Sequence, residues 1–275
     1  MSRVLLLGAT GLIGTAVADR FTAEGHHVTG VMRNTDRAPE SVAQAIAGDL
    51  GAPEEWLPLL ADMDALIHCA CDWAGDMART EPHLIEGVIA SGFRGRVLYT
   101  GGVWLYRPGP DQITEDSPIA GCGGFDWSTD GWDRLMAAGL DAVLIHPGLV
   151  WRDGVPHYSP AEEALNARKP LPVPAPGEQI QPLIHSTDLA DGYLRALTSG
   201  QSRRDYLFVA ENAPMQQVIE AWAAASGLST VRTEARDDDP YTWSQRVNSA
   251  RARDELGWVP RFTDSAGFLA ARPGM

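Results

Sequence analysis

Arg3-Val4-Leu5-Leu6-Leu7-Gly8-Ala9-Thr10-Gly11-Leu12-Ile13-Gly14 is the stretch that decides the fold. Val4 to Leu7 is an unbroken apolar run, the pattern of a strand covered on both faces in a parallel sheet. Three glycines follow at intervals of three. Beyond them Ile13, Ala16, Val17 and Phe21 recur on one face of a helix predicted over Leu12 to Glu24, with Gly25 just past its end. A glycine turn between strand and helix leaves backbone N–H groups open to an anion, where side chains would block the approach. Gly8, Gly11 and Gly14 are spaced for a tight turn, for close passage of a pyrophosphate and for helix–strand contact. The turn therefore predicts a dinucleotide site on Gly8, Thr10, Gly11, Leu12, Ile13 and Gly14; a strand–helix corner without ligand is the alternative.

The second strand, His27 to Met32, ends Val31-Met32-Arg33-Asn34 without a carboxylate. An acidic residue there suits the ribose hydroxyl of NAD, whereas an arginine suits a 2′-phosphate, so Arg33 points to NADP(H) over NAD. Further apolar runs at Ala65 to His68, Arg96 to Thr100, Ala142 to His146 and Tyr206 to Val209 alternate with helical stretches. This is the pattern of an α/β, Rossmann-type doubly wound parallel sheet.

The pattern changes after Trp151. Seven prolines between Pro156 and Pro182 exclude long helices and central strands. That stretch reads as a short helix, Ala161 to Ala167, in an extended loop. Pro182 to Gly200 reads as a return to the sheet with a helix from Thr187, and the chain from Ala213 as mainly helical, clearest at Met215 to Ala225 and Ala250 to Leu256. The expected division is an NADP-binding Rossmann domain over 1–155 and 183–212, and a small, mainly helical lid over 156–182 and 213–275.

With 44% hydrophobic and 21% charged residues the composition is that of a globular protein, and a formal net charge of −14 opposes binding to nucleic acid or anionic membranes. Cys69, Cys71 and Cys122 are too few for a disulfide framework, which makes a reducing cytoplasm the expected compartment. No apolar run is long enough to span a membrane. A small molecule is the expected partner, with a homodimer left open.

Several ordered segments resemble the extended short-chain dehydrogenase/reductase family, which includes nucleotide-sugar epimerases, dehydratases and dihydroflavonol-type reductases. Gly48-Asp49-Leu50 is similar to its Gly-Asp-hydrophobe step, which implies contact of Asp49 with the adenine. Ala65-Leu66-Ile67-His68-Cys69-Ala70 resembles its fourth strand, whose end borders the cofactor and brings Cys69 and Ala70 into the site. Glu115 and Pro118 match its Glu-x-x-Pro, and His146-Pro147-Gly148-Leu149-Val150-Trp151 its Arg-Pro-Gly-x-Val-Tyr with histidine for arginine. Ile184 to Ala190 is similar to its His-Val-x-Asp-Leu-Ala helix start, and Asn248 to Pro260 to its C-terminal signature.

The family's chemistry uses a Ser or Thr beside a Tyr-x-x-x-Lys pair, the lysine lowering the tyrosine pKa from one helical turn away. By resemblance those positions are Gly102, Phe125 and Thr129. No lysine lies before Lys169, the only one in the chain. Tyr106, Asp126 and His146, with Asp130 and His157, remain as candidates for proton transfer, each with a structural role as its alternative. His68, Cys69 and Cys71 suggest a metal cluster only weakly, because neighbours on a strand point to opposite faces and no fourth ligand is evident, so no metal is expected. Asp72 and Trp73 follow and could line the nicotinamide side. His185 and Asp188 read as supports of a helix start. Trp104, Trp127, Trp132 and Trp151 suggest an aromatic-walled pocket for an apolar or planar substrate, with core packing as the alternative.

Three functions fit these features: an atypical NADP-dependent reductase or epimerase-like enzyme with a non-standard proton donor, a non-catalytic NADP(H)-binding sensor or scaffold, and a redox-neutral cyclase, isomerase or dehydratase.

Overall fold

The computed structural model describes residues 1–72, 75–109, 111–119, 124–234 and 239–272. Trp73 and Cys122 lie outside the described residues.

From the N-terminus run β1 (Arg3–Leu7), α1 (Leu12–Ala23), β2 (His27–Met32), β3 (Gln44–Ala47), β4 (Ala65–His68), α2 (Met77–Ala90), β5 (Arg96–Thr100), α3 (Asp126–Ala137) and β6 (Ala142–Pro147). Then come β7 (Leu149–Trp151), α4 (Ser159–Asn166), β8 (Leu171–Pro174), β9 (Ile180–His185), α5 (Ser186–Ser199), β10 (Arg204–Phe208), β11 (Glu211–Pro214), α6 (Met215–Ala225), β12 (Thr230–Thr233), α7 (Ala250–Leu256) and α8 (Ser265–Ala270). Seven strands form one parallel sheet in the order β10-β6-β5-β4-β1-β2-β3. The strand order reverses beside β1, and a doubly wound sheet opens a crevice for ligand at such a point, outside the carboxyl ends of its strands.

Each face of the sheet has its own core, because side chains alternate along a buried strand. Val4 and Leu6 of β1 join Val17 and Phe21 of α1 with Tyr193 of α5 on one face. Leu5 and Leu7 join Leu84 and Val88 of α2 with Trp56 on the other. The edge strand β3, Gln-Ala-Ile-Ala, had no apolar run to announce it, since nothing covers it as completely as the central strands.

The region read as mainly helical holds α4, α6, α7 and α8, and also β8 and β12, which pair with each other, while its edges run into a second small sheet, β11-β9-β7. Pro182 to His185 therefore does not rejoin the large sheet: β9 pairs with β7 and β11, and only α5 packs back against α1. The proline-rich loop contains a strand because its prolines alternate. Leu171 and Ala175 donate their N–H groups to Ser229 and Thr233, while Pro172 and Pro174 fall on the opposite edge, where no donor is needed. The C-terminal segment is tied to α5 through Asp188, which accepts N–H groups from Arg261 and Phe262 at 2.8 Å each. His185 caps α5 by accepting the Thr187 N–H at 3.2 Å and stacks on Phe262 at 4.0 Å, a structural role for both residues.

Candidate active site

A cleft of about 990 Å³ opens at the carboxyl ends of the central strands. Gly8, Thr10, Gly11, Leu12, Ile13, Arg33, Asp49, Leu50, Cys69 and Ala70 all line it, so the tertiary structure brings together every expected cofactor residue but Gly14. The three glycines divide the work by geometry. Gly8 has φ +86°, and a Cβ on it would stand 2.8 Å from the Ala70 backbone. A Cβ on Gly14 would stand 2.1 Å from the Gly8 carbonyl oxygen, so Gly14 lets the helix sit on the turn without lining the cleft. A Cβ on Gly11 would meet nothing closer than 3.4 Å, which leaves the space in front of it open. Gly11, the N-cap of α1, makes no side-chain cap bond. Uncapped amides beside an open glycine fit a pyrophosphate.

At the β2 end of this cleft Arg33 is exposed, with its guanidinium 3.7 Å from Asp72. Arg37, not singled out in the sequence, lines the same wall from the short turn Thr35–Arg37. Its signal was available as a second arginine one helical turn after Arg33. Asp49 accepts the Gly51 N–H at 2.7 Å, which holds the loop after β3 against the cleft.

Beneath the cleft is a buried polar group that sequence inspection missed. Glu81 of α2, fully buried, accepts the Tyr99 hydroxyl at 2.8 Å and lies 3.0 Å from Nε2 of His68. The Ala70 N–H donates to Nδ1 of His68 at 3.3 Å, so Nε2 carries the proton and donates to Glu81. His68 is thereby turned into the core, where it fixes the loop that lines the cleft at Cys69 to Asp72. Burial pushes the thiols of Cys69 and Cys71 up to about 11, leaving both protonated and inert.

The proposed reacting end is built from the segments after β5 and β6 and from α3, α4 and Tyr241. Gly102 lines the cleft with extended backbone, and a Cβ on it would meet nothing within 4 Å. Phe125 also lines it, and Thr129, one turn along α3, does not. None of Tyr106, Asp126 and His146 reaches the cleft lining. Asp126 is exposed on the first turn of α3. Tyr106 and His146 are buried behind Gly101 and Gly102, their rings edge to face at 5.1 Å. Burial pushes His146 down to about 3 and raises the Tyr106 phenol far above its ordinary value. Asp130 is likewise exposed and off the cleft, whereas His157 lines it, buried and pushed down to about 3 by desolvation. Of the four tryptophans, Trp104 and Trp127 line the cleft. Trp132, on α3, packs against the core beneath that helix, and Trp151 is buried against His185 at 4.5 Å.

A glycine cradle at the switch point of a doubly wound sheet, with an open groove from the end of β2 to α3, defines a nicotinamide-dinucleotide-binding protein. The chain belongs to the NAD(P)H-binding family, whose model matches residues 8–168. It is 26% identical over 295 residues to a 3-diazoavenalumate denitrifying reductase of Streptomyces sp, covering 94% of this chain and 96% of the other. It is 29% identical over 297 residues to the dTDP-6-deoxy-L-talose 4-dehydrogenase (NAD(P)(+)) of Kitasatospora kifunensis, covering 95% and 92%. Its fold matches the UDP-glucuronic acid 4-epimerase of Bacillus cereus, solved with UDP-glucuronic acid and NAD, with a TM-score of 0.81 at 15% identity over 98% and 97% of the chains. The resemblance to extended short-chain dehydrogenases/reductases thus holds for both sequence and fold. Among the described residues no helix is long and apolar enough to cross a membrane.

Proposed function

We propose that this protein is an NADP(H)-dependent oxidoreductase of the cytoplasm, acting on a small, planar molecule without the usual Ser-Tyr-Lys proton relay. The observation that carries this is the pairing of a complete cradle with an open Gly102 and a Phe125 in place of the family's hydroxyl and phenol. Bound in the cradle, the cofactor supplies or accepts a hydride at its nicotinamide ring. Gly8, Gly11 and the first turn of α1 hold the pyrophosphate, and Arg33 with Arg37 favours a 2′-phosphate over a bare ribose. The aromatic walls exclude water and orient a flat substrate.

The vacancy at Gly102 also favours a second reading, a non-catalytic NADP(H)-binding sensor. One experiment separates the two: NADPH binding followed by its fluorescence, then NADPH consumption across a panel of carbonyl, imine and charged electrophiles. Binding with consumption supports the oxidoreductase; tight binding with no consumption across the panel supports the sensor; no binding overturns both.

A further inference from the structure

The end of the cleft remote from Arg33 has a charge pattern that hydride chemistry alone does not require. Trp104 stands edge-on to Tyr241 at 5.0 Å and lies 5.8 Å from Phe125, which is 6.2 Å from Trp127. Glu162, on the first turn of α4, lines the same wall half-buried, close enough to Tyr241 that its charge opposes ionisation of the phenol. No cation pairs with Glu162 among the described residues. Among the described residues the arginines lining the cleft, Arg33 and Arg37, follow β2, which is separated from β5 by β1 and β4 in the sheet.

We infer, resting on the oxidoreductase reading above, that this end binds a planar aromatic cation, a ring system bearing a positively charged nitrogen, with Glu162 as its counter-ion. Aromatic faces carry the negative side of a quadrupole and attract cations, more strongly where water is excluded. A carboxylate that no described cation pairs adds Coulomb attraction at short range. A nucleoside diphosphate would instead set its negative charges beside Glu162.

The same charge accounts for the missing acid. A neutral carbonyl that takes up a hydride ends as an alkoxide and needs a proton, which Gly102 and Phe125 cannot give. A C=N⁺ acceptor takes up a hydride, two electrons with one hydrogen nucleus, and forms one C–H bond. Its π pair moves to nitrogen, it ends neutral, and the dihydronicotinamide is oxidised to the nicotinamide cation. No proton enters or leaves the protein.

The test is calorimetric titration of the full chain, with and without NADP⁺, using N-methylquinolinium and, held above its own pKa so that it is neutral, 2-methylquinoline. The cation is expected to bind about tenfold tighter. Glu162→Gln should erase the difference, and Glu162→Lys should shift preference to quinoline-2-carboxylate, with thermal melting to check that both variants fold. Equal affinity for the two probes, no binding of either, a preference that survives Glu162→Gln, or tighter binding of UDP-glucose than of the cation would overturn the inference. NADPH affinity, measured in parallel, reports on the oxidoreductase reading alone: its loss with the cation preference intact would remove that reading and leave the cation site standing.

Discussion

The backbone N–H of Gly102 donates to Nδ1 of His146 across 3.2 Å, and this bond holds the loop after β5 so that the α-carbon of Gly102 faces the cleft while the histidine stays behind it. The adjacent Gly101 is the tight position, since a Cβ there would stand 2.7 Å from the same ring nitrogen.

These two glycines should therefore respond oppositely to substitution. Gly102→Ser is expected to leave stability unchanged or raised by up to ~1 kcal/mol, because extended backbone suits any residue and the unfolded chain loses freedom. Gly101→Ala forces the His146 ring to move and should cost about 1–3 kcal/mol. Urea unfolding of both variants checks the pair; equal losses would contradict the geometry.

The cradle glycines separate binding from folding in the same way. Gly14→Ala places a methyl 2.1 Å from the Gly8 oxygen and is expected to destabilise the fold by about 1–3 kcal/mol or more. Gly11→Ala has room, so the protein should fold with a loss of no more than about 1 kcal/mol, the cost of alanine at the N-cap, yet bind NADPH at least about tenfold more weakly because the methyl occupies the phosphate's approach. Urea unfolding and NADPH fluorescence titration, run on both variants, read the two effects.

Cofactor choice should reside in Arg33 and Arg37. Replacing either with alanine is expected to weaken NADPH binding about 10- to 150-fold and leave NADH nearly unchanged, since a charge-assisted bond to a phosphate is worth ~1.5–3 kcal/mol and the ribose hydroxyl gains little from a guanidinium. Parallel losses for both cofactors would show that the arginines merely support the loop.

Stability should fall in mild acid. Burial holds His146 and His157 down to about 3, against an ordinary value of 6.5. Between those limits the unfolded chain binds more protons than the folded one, so the stabilisation is complete above pH 6.5 and is lost as the pH falls toward 3. Each histidine adds a slope of up to about 1.4 kcal/mol per pH unit. His146→Asn, whose carbonyl oxygen can still accept the Gly102 N–H, should flatten the dependence in chemical denaturation measured across this window; an unchanged slope would place His146 outside the effect.

Local pattern carried much of this molecule. The apolar run before Gly8, the glycine spacing and the alternation of strands with helices are properties of neighbouring residues, so β1, α1, β2 and the cofactor wall from Gly8 to Ile13 were legible in the chain alone. The resemblance to one family added Asp49, Leu50, Cys69 and Ala70, which the structure places on the cleft. Pairings between distant segments left no such trace. Nothing near His68 announces that Glu81, thirteen residues on, is its buried partner, and nothing near Leu171 announces β12 at Thr230. Tyr106 and His146 looked available for proton transfer, yet the backbone turned them into the core: His146 because each step along β6 reverses the side chain, Tyr106 because the short turn Val103–Leu105 delivers its ring against His146. Tyr241 and Glu162 reach the cleft only through the docking of the second region on the first. Periodicity decides which residues form an element and which face is buried; which faces meet depends on how the connections cross, and that is where this site acquired its aromatic and acidic wall.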